Sequence, residues 1–324
     1  MATSDYPLPR IPYVRLRTTL RADQPASLPA YTGSTLRGAF GHALRKLVCV
    51  MGPDQPCVDC LLRRTCHYTR LFETSIEGEP PAFLAGVPTA PRPYVFEPRA
   101  GAGDLAAGAP LEFDLLLFGQ AADLASYALL AVDRMAAAGL GKGRARFTLD
   151  QALAQTPEGG WSPLVDQGRL RGTGTVQPLV PPRGGLDTPR VRLRFRTPTR
   201  LMLRGRLAEG ATFRELAFLM LRRTLELAHF HLPGAVLDWT FRPYLEKANA
   251  VRIAAADLSW KDWQRYSNRQ ERKMTLGGFV GTLDLEGDLA PFIPLLRTAE
   301  IVHLGKGATF GLGKVECIPA IQGV

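Results

Sequence analysis

The stretches "GLGKGRARF" (residues 139–147) and "HLGKGATFGLGKVE" (residues 303–316) share the tetrapeptide Leu-Gly-Lys-Gly. Each stretch follows a predicted helix and leads into the last predicted strand of its half. Each half also begins with a strand in which arginines alternate with apolar residues, and a helix and further strands follow. The order strand–helix–strand–strand–helix–strand is that of a ferredoxin-like unit. The sequence therefore predicts an α+β protein built of two tandem ferredoxin-like domains.

A linker separates the two predicted domains. The stretch "VQPLVPPRGGLDTPR" (residues 176–190) is crowded with proline and glycine between periodic segments, which is typical of a connection. We therefore expect an N-terminal domain over residues 1–180 and a C-terminal domain over residues 190–324. In the first domain, Ser34 is the expected N-cap of a helix with one apolar stripe. That stripe consists of Leu36, Phe40, Ala43, Leu44 and Leu47.

The glycine loops can either bind phosphate or form tight turns. Glycine lets a phosphate approach the backbone N–H groups closely, because no Cβ intervenes. The loops fit neither a P-loop nor a dinucleotide-binding fingerprint, because the required lysine and acidic residues are missing. Both readings, RNA backbone contact and plain turn, stay open on the loops alone. Their basic side chains are Lys142, Arg144, Lys306 and Lys314.

Composition favours a polyanionic partner. The 324 residues carry a formal net charge of +10, and the sequence pI is about 9.7. A basic balance of this size suits nucleic acid, although it also occurs in proteins that bind none. No apolar run approaches the ~20 residues of a membrane span, and the N-terminus lacks a signal-peptide core. We therefore expect a cytoplasmic protein without a membrane partner.

Four of the five cysteines form a cluster with the pattern C-x7-C-x2-C-x5-C. In a cytosolic protein such a cluster predicts a metal site before it predicts disulfides. Four thiolates suit a closed, structural zinc site, and an iron–sulfur cluster is the alternative with the same ligands. His67 could replace one thiolate. The predicted metal insertion in the first domain is formed by Cys49, Cys57, Cys60 and Cys66.

The first helix carries a candidate catalytic set. His42 and Lys46 are four residues apart, which places them on one helix face away from the apolar stripe. Imidazole is suited to proton transfer near neutral pH, and a neighbouring ammonium can stabilise charge developing on a phosphate. Tyr31 precedes the helix and could fold over its first turn. The alternative is a solvated polar face that carries a histidine and a lysine by chance.

Three stretches resemble one known family. They are "YTGSTLRGAFGHALRKL" (residues 31–47), the second glycine loop and "RYSNRQERKMTLGGFVG" (residues 265–281). Together they are similar to the CRISPR pre-crRNA-processing endoribonucleases of the repeat-associated mysterious protein (RAMP) superfamily. The resemblance implies RRM-like tandem domains that bind CRISPR repeat RNA. It also implies cleavage without a metal cofactor, in which the 2′-OH attacks and leaves a 2′,3′-cyclic phosphate and a 5′-OH.

The resemblance also implies roles for particular residues. His42 would act as general acid or base, Tyr31 would share the proton transfer or orient the ribose, and Lys46 would stabilise the phosphate charge. A basic, aromatic-flanked segment would contact RNA through Arg265, Arg269, Arg272 and Lys273. A catalytically silent crRNA-binding subunit of a CRISPR effector complex is the alternative function. A metal-dependent nucleic-acid regulator is a third.

Overall fold

The chain forms two compact units in a computed structural model. It describes residues 6–52, 55–76, 79–84, 87, 89–99, 103–170, 176–186, 188–267 and 272–320, with the backbone alone at 170, 263–267 and 272–276. The N-terminal unit consists of Pro12–Val180 and Phe230–Pro233. The C-terminal unit consists of Met1–Ile11, Pro181–His229 and Gly234–Val324. Residues 6–11 thus group with the C-terminal unit, whereas residues 1–180 were predicted as the N-terminal domain.

Two helices and a six-stranded antiparallel sheet make up most of the N-terminal unit. The helices are α1 (Gly33–Val48) and α2 (Ala125–Ala138). The strands are β1 (Tyr13–Ala22), β2 (Ala26–Ser27), β3 (Tyr94–Pro98), β4 (Asp104–Leu105), β5 (Pro110–Phe118), β6 (Phe147–Gln155), β7 (Trp161–Asp166) and β8 (Arg169–Leu170). The sheet has the order β3-β5-β1-β6-β7-β8, and β2 pairs separately with β4.

A four-stranded antiparallel sheet organises the C-terminal unit, with the order β12-β13-β9-β14. The helices of this half of the chain are α3 (Phe213–His231), α4 (Arg242–Lys247) and α5 (Ile293–Val302). The strands are β9 (Arg190–Thr199), β10 (Leu201–Leu203), β11 (Arg206–Ala208), β12 (Arg252–Ser267), β13 (Arg272–Glu286) and β14 (Val315–Pro319). The short strands β10 and β11 form their own hairpin.

The two units share one topology. The N-terminal unit runs β1-α1-β3-β5-α2-β6, and the C-terminal unit runs β9-α3-β12-β13-α5-β14. In both sheets the four strands lie side by side in the order second, third, first, fourth, and neighbours are antiparallel. This is the ferredoxin-like arrangement, so the predicted tandem of ferredoxin-like folds is confirmed.

The core of the N-terminal unit lies between its helices and one sheet face. Leu36, Phe40 and Leu44 of α1 are fully buried and belong to one cluster with Leu16 and Leu20 of β1. Apolar side chains at helical spacing thus meet apolar side chains at strand spacing, as the two periodicities require. The helix begins at Gly33 after Thr32, without a side-chain cap, so the expected N-cap role of Ser34 was wrong.

The arginines of β1 lie beside buried carboxylates. The Arg15 guanidinium is 2.9 Å from Glu97 and 3.1 Å from Asp114, and Arg17 also contacts Asp114 at 3.3 Å. The same pattern recurs in the C-terminal unit, where Arg192 of β9 forms a two-bond pair with Asp284. These contacts hold the pKa of the Asp284 carboxyl below its usual value. The arginine-rich faces of β1 and β9 therefore form networks of ion pairs.

No helix in the described part of the chain is both long and apolar enough to cross a membrane.

Candidate functional site

His42 and Lys46 are exposed on one face of α1. Both side chains belong to the exposed class, and the helix continues unbroken from Gly33 to Val48. Four residues of helix bring two side chains to the same face, one turn apart. Lys46 lies in the last turn, where a cation interacts favourably with the helix dipole. The predicted pair is thus brought together and is accessible to a large ligand.

Tyr31 is not part of this pair. Nine residues of helix separate Gly33 from His42, which is about 14 Å along the axis. Burial raises the pKa of the Tyr31 phenol, and the negative charge of Glu97 on β3 raises it further. The tyrosine is thus held near the sheet in its protonated form, while His42 faces solvent. The structure thus places His42 and Lys46 on one helix face, and the role implied for Tyr31 stays a prediction.

A phenylalanine ring occupies the space beside Gly41, the residue before His42. A Cβ at Gly41 would lie 2.2 Å from the ring of Phe72. Phe72 stacks on Tyr68 and Tyr94, and the guanidinium of Arg37 lies 4.0 Å above its ring. The aromatic cluster therefore attaches the end of the cysteine-containing segment to the middle of α1. This contact fixes the part of the helix that presents His42.

The four clustered cysteines follow α1 directly and are all half-buried, without disulfides. Cys57 and Cys60 flank a single turn of 3₁₀-helix, in which the Cys60 amide donates to the Cys57 carbonyl. Burial raises the pKa of the Cys57 thiol, whereas a hydrogen bond from the Met51 amide lowers that of Cys49. In the described residues, no three His, Cys, Asp or Glu side chains converge as metal ligands.

A cavity of about 240 Å³ lies among these side chains. Its walls include Cys49, Cys60, Cys66 and His67. Arg45, in the last turn of α1, reaches over this loop and donates to the carbonyl of Gln55 at 2.8 Å. Arg45 was not among the residues predicted from the sequence. Its position four residues before Cys49, one helical turn away, was the available signal.

The glycine loops are tight turns in which many backbone amides donate hydrogen bonds to carbonyls of the protein. In the second loop, Leu304 donates to Gly313, and Lys306 and Gly313 donate to carbonyls at the end of β9. Gly313 has φ +70°, and a Cβ there would lie 1.8 Å from the Leu304 carbonyl oxygen, so only glycine fits. RNA backbone contact and a plain turn were the two interpretations of these loops. The structure supports the turn, because the loop amides are hydrogen-bonded within the protein. The basic side chains remain accessible: Lys142, Arg144 and Lys306 are exposed, and Lys314 is half-buried.

The described ends of the basic segment 265–273 lie on the paired strands β12 and β13. Tyr266 pairs with Lys273, and Ser267 pairs with Arg272, across the ends of β12 and β13. Arg269 lies outside the described residues. For Arg265, Arg272 and Lys273 the backbone alone is described, so their predicted contact with RNA stays a prediction.

Two family models match the sequence. Residues 11–178 match AF_1859_N, an N-terminal domain family, and residues 193–315 match the CRISPR-associated endoribonuclease Cas6. No curated protein matches the sequence significantly. The AF_1859_N match alone covers more than half of the chain, and the Cas6 match covers most of the rest.

Solved Cas6 structures have a similar fold. Thermus thermophilus Cas6 (TTHB231) aligns with a TM-score of 0.53 and 14% identity, over 96% of this chain and 100% of that one. A Cas6 (TTHB231) product complex gives 0.55 and 16%, over 95% and 99%. A partial Cas6-RT-Cas1–Cas2 complex gives 0.58 and 13%, over 98% and 48%. At these identities the likeness concerns the fold.

The sequence resemblance, the two family matches and the tandem ferredoxin-like topology agree. The chain therefore belongs to the Cas6-type CRISPR proteins, with an AF_1859_N domain in its N-terminal half and a Cas6 domain in its C-terminal half.

Proposed function

We propose that this protein is an endoribonuclease that cleaves CRISPR precursor RNA within its repeats and releases crRNAs. The ribose 2′-oxygen attacks the adjacent phosphorus and forms the 2′,3′-cyclic phosphate. The bond from phosphorus to the 5′-oxygen breaks, and that oxygen leaves as a 5′-OH. One proton leaves the 2′-OH and one proton is delivered to the leaving oxygen. The observation that carries this proposal is the exposed His42–Lys46 pair on α1 of a Cas6-type chain.

The pair supplies the two kinds of group that this reaction needs. His42 transfers a proton, either as acid to the leaving 5′-oxygen or as base to the 2′-OH. Lys46, one turn away, stabilises the negative charge that develops on the phosphate oxygens. Tyr31 shares the proton transfer or orients the ribose, and its raised pKa keeps the phenol protonated as a hydrogen-bond donor. The chemistry is complete without a divalent cation.

The RNA partner is proposed to contact basic side chains of both units. Exposed Lys142, Arg144 and Lys306 are suited to phosphate contacts. We also propose contacts from Lys314 and from Arg265, Arg269, Arg272 and Lys273. Other Cas6 proteins have been solved with product RNA and within Cas6-RT-Cas1–Cas2 complexes, which supports CRISPR RNA and CRISPR proteins as partners.

Incubation of the purified protein with 5′-labelled repeat RNA in EDTA tests the proposal. We expect one discrete product that ends in a 2′,3′-cyclic phosphate, identified by its resistance to phosphatase until acid opens the ring. Tight binding without cleavage would instead support a crRNA-carrying subunit. Cleavage only after a divalent cation is added would contradict the proposed chemistry.

A further inference from the structure

The segment after α1 lacks a core of its own. From Cys49 to Cys66, none of the described residues is buried. The segment consists of turns and one short 3₁₀-helix, and Val50 and Leu61 are 78% and 93% exposed. A loop of this length that buries so little apolar surface gains little from the hydrophobic effect. Its fold therefore needs another source of stabilisation.

The half-buried side chains of this loop include all four cysteines. Three of them, Cys49, Cys60 and Cys66, line the same cavity beside His67. Cys57 belongs to the same C-x2-C turn as Cys60, where consecutive amides are folded back onto carbonyls. Three thiols and an imidazole that line one cavity, in a loop that exposes Val50 and Leu61, have the chemistry of zinc ligands. Cys57 and Cys66 also pack against the core of the N-terminal unit.

We infer that the four cysteines of this loop bind one structural zinc ion. Binding replaces the thiol protons, which are released to solvent, with four zinc–sulfur bonds in a tetrahedral, closed site. To bind one ion, the thiolates of Cys49 and Cys66 must close across the 240 Å³ cavity towards the Cys57–Cys60 turn, because in the described residues these side chains do not converge. The site leaves no position for substrate or water, so its role is separate from RNA cleavage.

Arg45 connects this site to the proposed catalytic helix. Its guanidinium holds the Gln55 carbonyl and also hydrogen-bonds the Cys49 side chain. A cation at this position offsets the negative charge of a zinc ion with four thiolates. Arg45 is the neighbour of Lys46 in the last turn of α1, so zinc binding fixes the turn that carries Lys46.

Zinc content provides the first test. Protein purified under reducing conditions with zinc should contain one zinc ion per chain, and a Cys57→Ser/Cys60→Ser variant should contain none. Cys317→Ala is the matched control, because this fifth cysteine is buried in β14, and it should retain the zinc. Absence of zinc from the wild type, or iron with visible absorption, would overturn the assignment. If the double variant does not fold, cobalt substitution of the wild-type protein provides a separate test. Thiolate-to-cobalt charge-transfer bands would support the site, and their absence would contradict it.

Limited proteolysis provides the second test. Chelation should increase trypsin cleavage after exposed Arg64 by about tenfold or more, because the loop loses its ligand-dependent stability. Cleavage after Arg204, in an exposed turn of the C-terminal unit, should not change. Equal rates at Arg64 with and without chelator would contradict a structural zinc ion. Neither test uses RNA, so their failure is distinct from failure of the proposed nuclease activity.

Discussion

Gly41 shows how a single residue positions the proposed active helix. The Phe72 ring occupies the space where any side chain at this position would begin. A methyl group there must displace a ring that also stacks on Tyr68 and Tyr94. The absence of a side chain at Gly41 therefore allows the cysteine-containing segment to attach directly beside His42.

Gly41→Ala should lower the free energy of unfolding by about 1–3 kcal/mol, because it overpacks the aromatic cluster. Gly38→Ala is the matched control on the same helix, where nothing lies within 4 Å of the added Cβ. The control should raise stability by about 0.5–1 kcal/mol through helix propensity alone. Denaturant unfolding of both variants measures the difference, and equal stability of the two would refute the proposed contact.

At the same scale, the sequence predicted the site only in part. Helical spacing places His42 and Lys46 on one face regardless of tertiary context, so that part of the prediction rested on geometry alone. The position of Tyr31 depends on its contact with the sheet, where Glu97 lies 66 positions later. Spacing along the chain carries no information about such a distant neighbour.

At the level of secondary-structure elements, the arginine-rich strands show which part of the sequence-based prediction was incomplete. Alternation predicted β1 and β9 with basic faces, and both strands are present. The carboxylates that neutralise them lie on β3, β5 and β13, which are far away in the sequence. Neighbouring strands are set by topology, so the charge of a strand face cannot be read from one strand.

Asp114→Asn should lower the free energy of unfolding by about 3 kcal/mol, because it removes one partner from a buried ion-pair cluster. The Asp114 side chain is 3% exposed and faces Arg15, Arg17 and Arg99. Asp150→Asn removes the more exposed pair with Arg21 and should cost about 0.5 kcal/mol or less. Thermal or denaturant unfolding compares them, and a cost for Asp114→Asn no larger than for its control would contradict a buried cluster.

Strand β12 is one of the elements that were not located from the sequence. Among residues 252–262 every side chain is exposed or half-buried, so no apolar alternation marks the strand. Its stability comes from a long ladder with β13, which runs from Arg252–Glu286 to Ser267–Arg272. Backbone pairing of this kind leaves little trace in side-chain periodicity.

At the scale of the whole molecule, the repeated glycine loops predicted the architecture. Gly141 and Gly305, the first glycines of the shared tetrapeptide, both have positive φ, and a Cβ at either would lie within 2.6 Å of a carbonyl oxygen. Such positions admit only glycine, which explains why the loop sequence is retained in both halves. The grouping of residues 6–11 with the C-terminal unit was not predictable, because it depends on tertiary contacts of that segment.

The central claim is that His42 transfers a proton during metal-independent RNA cleavage. Single-turnover cleavage of repeat RNA in EDTA by His42→Ala tests it most directly, with exposed His229 of α3 replaced in the control His229→Ala. The account predicts that His42→Ala lowers the cleavage rate by about 10²–10⁴-fold while RNA binding is kept, and that the control cleaves like the wild type. Cleavage by His42→Ala at the wild-type rate would contradict the account.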